Sequence, residues 1–303
     1  MGKNQDALQY RREYDDFSQA VLKQINAITA KTNGYIPPGL DTLGGQDWGN
    51  FLMLYPELNL DPGDLKVTAT IKNAHSKFQE GLMTYGDGRW LHHYLTMKLT
   101  DCEIVREDQE NVIEELYSVL LHTSATHAGF EYGILPWSTR DFGFNLSPHG
   151  WFAAKYRGVL RNMLVREQER ELHLISCISP EWAKTGKKIT VHRAPTYFGQ
   201  VNFDMEFKSD GVVLTFDNKF FKNPDSMIVH FPWFMRMEKV YVDGKSVPHN
   251  EDEVAVAAKT RKVGMQWQWR PTSKPYSYDL TVKEYKKEYK RRYEEFVKKG
   301  EGK

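Results

Sequence analysis

The spacing of apolar residues changes once along this chain, near Glu171, and that change constrains the fold more than any other feature. Before it, apolar side chains recur at steps of three and four. Tyr10, Tyr14, Phe17, Val21, Ile25 and Ile28 make one helical stripe, with Gly34 as its stop, and Val112, Ile113, Leu116, Val119 and Leu120 make another. "DPGDLKVTAT" predicts a helix capped by Asp61, with Pro62 in its first turn and Asp64 at its positive end. "SPHGWFAAKYRGVLRNML" predicts another, capped by Ser147 with Pro148 in the first turn, and shorter helices fit 47–54 and 89–98. After Glu171 the runs are short and alternating: "ELHLISCIS", "KKITVHR", "FDMEFK", "GVVLTF", "SMIVHF" and "KVYVDG". Gly, Pro, Asn and Asp separate them, which predicts an antiparallel β-sandwich. Beyond Trp269 the helical period returns. Thr281 and Glu284 have capping-box spacing, and Tyr285, Tyr289, Tyr293 and Phe296 form a stripe that docks a Lys/Glu-rich helix. The expectation is an α+β chain with a helical part over 1–170, a β-sandwich over 171–275 and a C-terminal helix over 276–303.

Several function classes fall away on composition. The 303 residues carry a net charge of +1, without the basic excess of a nucleic-acid or membrane-surface protein. No apolar run approaches the roughly 20 residues that span a bilayer, and the N-terminus "MGKNQDALQYRREYDDF" shows no signal peptide. Cys102 and Cys177 form no framework and no metal spacing, so both are expected as buried thiols. His122 and His127 are five apart, a poor metal pair, and no dinucleotide or phosphate fingerprint is present, so neither a metal nor a cofactor is expected. A Ser124–His127–Asp141 triad lacks a nucleophile-elbow motif.

The helical part has unusually long linkers, rich in Gly, Pro, Trp and Asp: "TNGYIPPGLDTLGGQDWGN", "QEGLMTYGDGRW" and "HTSATHAGFEYGILPWSTRDFGFNLSP". Long ordered loops in a helical domain usually build a site. Aromatic content is 13%, with 8 Trp, and flat faces with polar edges suit sugar rings as well as ordinary cores. Trp48, Tyr85, Trp90, Phe130 and Trp137 offer stacking faces. Asp87, His92, His93, Gln109, Glu110 and His127 stand beside them as rim groups for a pyranose. His92 and His93 diverge on a helix, so one of them faces a ligand.

These linkers, together with "DQENVIEELYSVLLHTSATHAGFEYG" and "SPEWAKTGKKITVHRAPTYFGQVNF", resemble the C-terminal part of six-hairpin glycosidases. Those are (α/α)6-barrel glycoside hydrolases, here with a β-sandwich behind the barrel. A complete barrel has twelve helices and about six are read here before the β part. The resemblance therefore implies a half toroid, with the first half absent or supplied by another chain. It also implies a carbohydrate partner, no nucleic acid and no membrane. Enzymes of this type are often exported, and their signal would precede the missing half.

Glycoside cleavage by inversion uses two carboxyl groups, one as acid and one as base. In the resembling barrels the base sits in the loop before the last helix, where Glu131 stands, walled by Phe130, Tyr132 and Trp137. The alternative is that Glu131 bonds amides of its own loop. Asp141 competes for the base role, or pairs with Arg140. The acid of the family lies upstream of Met1. Within the chain its candidates are Asp47, Glu80 and Asp87, although Asp47 also suits a helix cap and Asp87 a glycine-flanked turn. The sequence thus supports a glycoside hydrolase using Glu131 and Asp47, or a non-catalytic carbohydrate-binding remnant of one.

Overall fold

The computed structural model describes residues 2–41, 43–131, 133–138, 146–272 and 276–301. Among them the helices are α1 (Gly2–Thr29), α2 (Leu65–His75), α3 (His93–Arg106), α4 (Gln109–Leu121), α5 (Gly150–Leu164) and α6 (Tyr278–Glu301), with a 3-10 turn at Gly49–Met53. The strands are β1 (Phe78–Gln79), β2 (Leu82–Tyr85), β3 (Trp90–Leu91), β4 (Val165–Gln168), β5 (Glu171–Leu174), β6 (Lys188–Thr196) and β7 (Gly199–Lys208). They continue as β8 (Gly211–Phe216), β9 (Lys219–Phe220), β10 (Ser226–His230), β11 (Met235–Val242), β12 (Lys245–Val247), β13 (Glu253–Val256) and β14 (Lys262–Trp269). The chain is an α+β protein with N-terminal helices, antiparallel sheets and a C-terminal helix.

Helix α3 organises the helical layer. Its Leu95, Leu99, Cys102 and Val105 pack with α2 and the 3-10 turn, while Met97 and Ile104 pack with α4 and α5. A helix enclosed on both sides must also enclose its polar residues, and Thr96, Thr100, Asp101 and Glu103 are all buried. Each then needs a partner, because an unpaired buried polar group is costly. The β half is built differently. Sheets β13-β10-β5-β4 and β12-β11-β14-β8-β7-β6 share one apolar core, to which β7 contributes Val201, Phe203, Met205 and Phe207 at every second position. One pair, β5 with β10, is parallel, a departure from the all-antiparallel expectation.

Several local expectations shift. The cap of α2 is Asp64, whose Oδ1 accepts from Lys66 N at 2.7 Å; Asp61 instead closes the preceding turn through Gly63 N at 2.7 Å. The segment expected as a helix over 89–98 starts as strand β3, and the helix begins at His93, capped by His92 Nδ1. Helix α5 starts at Gly150 after His149, not at Pro148. Ser277, not Thr281, caps α6 by accepting from Leu280 N at 3.3 Å. Both cysteines are free and buried. The stripe on α1 is buried only at Ile25 and Ile28; Leu8, Tyr10, Tyr14 and Phe17 are exposed. Among the described residues no helix is long and apolar enough to cross a membrane.

Candidate functional site

The three Gly-rich linkers meet one another. Gly86 N donates to Gln46 Oε1 at 3.2 Å, joining the first to the second. Leu91 and Ile134 exchange backbone hydrogen bonds at 2.8 and 3.1 Å, joining the second to the third. Glycine is required at this junction, since a Cβ on Gly133 would sit 2.6 Å from Leu91 O and one on Gly129 would run into the Phe152 ring.

Beside this junction, the 3-10 turn, α3 and α5 enclose an open cleft of about 480 Å3 lined by Trp48, Tyr55, Tyr94, Asp101, Trp151 and Lys155. Tyr94 is its hub. The Tyr94 ring lies 5.2 Å from Trp48 and 6.3 Å from Trp151, in tilted geometry. Trp151, in the first turn of α5, is 66% exposed, so its face is open to a ligand. Lys98 Nζ stands 4.2 Å over the Trp48 ring, and Lys155 Nζ 4.8 Å over Tyr55. Burial and the neighbouring Lys155 lower the Lys98 pKa. Asp101 forms the floor, bonded to Lys155 and to Asn162 Nδ2; burial raises its carboxyl pKa against the pull of Lys155. The rings of His149 and Tyr94 are 6.3 Å apart, and the His149 ring lies 6.1 Å from Trp151. His92 is held neutral at ordinary pH: burial, then the nearby His149, push its pKa down to about 4.

The residues singled out from the sequence are distributed as follows. Trp48 lines the cleft, and His92 caps α3 with its ring 5.5 Å from Tyr85. Trp90 pairs with Tyr85 across β2 and β3, and Asp87 stands exposed in the turn between these strands. Asp47 is buried and bonded to Lys77 and to Asn50 Nδ2. Glu80 is buried against His122 Nε2 at 2.8 Å and accepts from Trp137 N; His122 Nδ1 donates to Ser118 O at 2.7 Å. Trp137 is stacked on Tyr285 of α6 at 5.3 Å, with the Arg292 guanidinium 4.1 Å from its centre. Phe130 and His93 pack together inside the helical core. Gln109 Nε2 donates to Phe231 O at 2.9 Å, tying α4 to the β half, and Glu110 accepts from Tyr276. His127 is exposed, 3.4 Å from Thr123 Oγ1. Tyr132, Arg140 and Asp141 lie outside the described residues.

Glu131 is half-buried, and its carboxylate forms no hydrogen bond or ion pair among the described residues. Its backbone N–H donates to Leu146 O at 3.0 Å, and Gly129 O accepts from His149 N at 3.0 Å. Glu131 therefore lies on a strip laced to the segment that carries His149 to the cleft. Tyr55, Tyr94, Trp151 and Lys155 escaped the sequence reading. Their one signal is on α5, where Trp151, Ala154, Lys155 and Gly158 fall on one helical face that is small and polar apart from the tryptophan. A second depression, of about 630 Å3, between Trp182, Trp269 and the start of α6, borders residues outside those described.

No family model and no curated protein matches the sequence. Among solved structures, an α-L-rhamnosidase from Dictyoglumus thermophilum matches over 86% of this chain and 30% of its own, with a TM-score of 0.52 and 14% identity. A GH127 β-arabinofuranosidase matches over 58% of this chain and 31% of its own, with a TM-score of 0.37 and 11% identity. The chain spans less than a third of the length of either. At these identities the likeness concerns the fold alone: this α+β chain resembles part of glycosidase structures.

Proposed function

We propose that this chain is the C-terminal part of a six-hairpin, (α/α)6-type glycosidase fold, with a helical half toroid over 1–170, a β-sandwich over 171–275 and a helix over 276–303. In this reading it binds an oligo- or polysaccharide at the cleft formed by Trp48, Tyr94 and Trp151. The observation that carries it is the meeting of these rings around one open cleft, with Asp101, Lys155 and Lys98 at their edges. Flat apolar faces take the C–H patches of a pyranose, and the polar groups take its hydroxyls. The rhamnosidase-like fold supports a sugar ligand.

The Glu131 carboxylate, without a partner among the described residues, favours a second reading, hydrolysis with Glu131 as general base. An acid partner is then required. Asp47 is tied to Lys77, Glu80 is tied to His122, and Asp87 is exposed in a turn. None of these three is free to act as the acid, so in this reading the acid comes from the rest of the barrel, and the exposed Leu8, Tyr10, Tyr14 and Phe17 of α1 offer that part, in this or another chain, a surface to cover. The test is a glycan panel with neutral and uronate members, scored for both binding and sugar release. Binding without release, weakened about tenfold or more by Trp151→Ala, supports the cleft. Release abolished by Glu131→Gln supports hydrolysis. Neither binding nor release across the panel overturns both.

A further inference from the structure

Three helices converge on a polar cluster that the cleft does not use. His75 ends α2, Glu103 lies in α3 and Glu115 in α4. Both carboxylates are withdrawn from water, the Glu103 side chain at 0% exposure and that of Glu115 at 3%. His75 Nε2 lies 2.6 Å from Glu103 Oε1 and 3.7 Å from Glu115 Oε1. Asn111 Nδ2 donates to Glu103 Oε1 at 3.2 Å, and the Thr100 hydroxyl donates to Glu115 Oε2. Glu103 Oε2 and Glu115 Oε1 are left buried with no hydrogen-bond partner. Among the described residues no lysine or arginine forms an ion pair with either carboxylate. Burial, and then the charge of Glu103, hold the Glu115 carboxyl well above the usual range. Burial opposes protonation of His75, but the Glu103 hydrogen bond and charge outweigh it and raise its pKa. Only if both carboxylates were ionised would they be adjacent buried charges, of which a protonated His75 cancels one; what the geometry leaves open is Glu103 Oε2 and Glu115 Oε1, buried and without a donor.

We propose that His75, Glu103 and Glu115 bind a first-row transition-metal dication such as Zn2+, which ties α2, α3 and α4 together. The donor atoms all lie within 4.8 Å of one another. Donors about 2.0–2.2 Å from one ion stand no more than about 4 Å apart, so a metal would draw these three together only slightly. The imidazole selects a transition metal over Mg2+ or Ca2+, and a dication cancels both carboxylate charges. His75 is 31% exposed, which gives an entry path and a position for water beside the buried ligands. Thr100 and Asn111 orient the two carboxylates from behind, as outer-shell donors do at metal sites.

A second cluster, Glu107, His230 and Glu253, makes a useful contrast. His230 Nδ1 lies 3.2 and 3.4 Å from the two carboxylates, and its Nε2 meets His173, which is bonded to the Arg166 guanidinium. There the Arg166 guanidinium stands behind the histidines and its charge acts on Glu107 and Glu253, a nearby cation that Glu103 and Glu115 lack among the described residues.

The test is calorimetric titration of the chelator-treated chain with Zn2+, then Mn2+, with Mg2+ as control, at about pH 8 where the ligands are deprotonated. Thermal melts run beside it. The expected result is one Zn2+ per chain and a Tm rise of about 5 °C at saturation. Glu115→Gln and His75→Ala are expected to weaken binding more than about a hundredfold, and Thr100→Val about tenfold. Glu115→Gln keeps a donor for Glu103 and should fold at least as stably as the metal-free parent, so its loss of binding reads the ligand and not misfolding. Unchanged Zn2+ affinity in Glu115→Gln would place the metal elsewhere and overturn the proposal. So would no heat and no Tm change in the parent chain, which would leave Glu115 as a neutral acid sharing its proton with Glu103.

Discussion

The inter-sheet core and the layer around α3 are both thoroughly buried, yet they are made of different things. Between the sheets lie Val201, Phe203, Met205, Leu214, Val229, Phe234 and Val263, and the buried ionisable side chains of the β half are Arg166, His173 and His230 on β4, β5 and β10. Around α3 the buried set includes Asp101, Glu103, Glu115, His92, His93 and His122. An apolar core gains stability in proportion to the area it hides. A layer with buried charges gives up part of that gain to desolvation, recovering it only through specific partners. The contrast is one of proportion: the inter-sheet interior is held mainly by apolar burial, and the helical layer fixes more buried ionisable groups in place.

The largest expected effect tests the stabilising side. Phe234 is fully buried, and Phe234→Ala should cost about 3–5 kcal/mol in urea unfolding. A cost under 1 kcal/mol would remove the distinction between the two regions. The next tests the charged side by pH. His92 has its pKa pushed from 6.5 to about 4 by burial, so the unfolded chain binds the extra proton between those values. Neutral His92 contributes fully above pH 6.5, and its contribution, at most about 3 kcal/mol, is lost as pH falls toward 4. Protonation also removes the Nδ1 acceptor that caps α3 at Leu95 N. His92→Asn keeps an N-cap acceptor without titrating there, and should flatten the fall in Tm between pH 6.5 and 4. An unaltered slope would show that other groups govern acid unfolding. The smallest effect concerns the rim: Phe296 of α6 is 75% exposed, and Phe296→Ser should change stability by less than about 0.5 kcal/mol. A larger loss would mean that the outer stripe of α6 is covered in solution.

Much of the element order was legible. The period change near Glu171 falls where helices give way to strands, and each of the six alternating runs overlaps a strand. Helix starts were less legible because caps compete locally: Asp61 and Asp64 are both good acceptors, and only the turn at Gly63 assigns them. The hairpin of β2 and β3 was hidden because strands of four and two residues within a Gly-rich linker leave no alternation to read, and Trp90 and Leu91 fit the start of the helix read over 89–98. Of the residues lining the cleft, Trp48 was singled out from the sequence, in its Gly- and Trp-rich linker. Tyr94 and Trp151 were not, since an aromatic residue in an amphipathic helix reads as core. Nothing in the sequence marked His75, Glu103 and Glu115, which lie 28 and 12 residues apart.

What the sequence determined by itself was periodicity, and with it the division into helices, sheets and a final helix, because backbone hydrogen bonding and side-chain direction are local properties. What tertiary structure alone decided was the environment of each ionisable group. Glu103 and Glu114 both look like ordinary helix-surface acids in the string, and enclosing α3 on both faces puts Glu103 in the dark beside Glu115. Charge and pKa depend on what surrounds a group in three dimensions, and those surroundings come from residues far away along the chain.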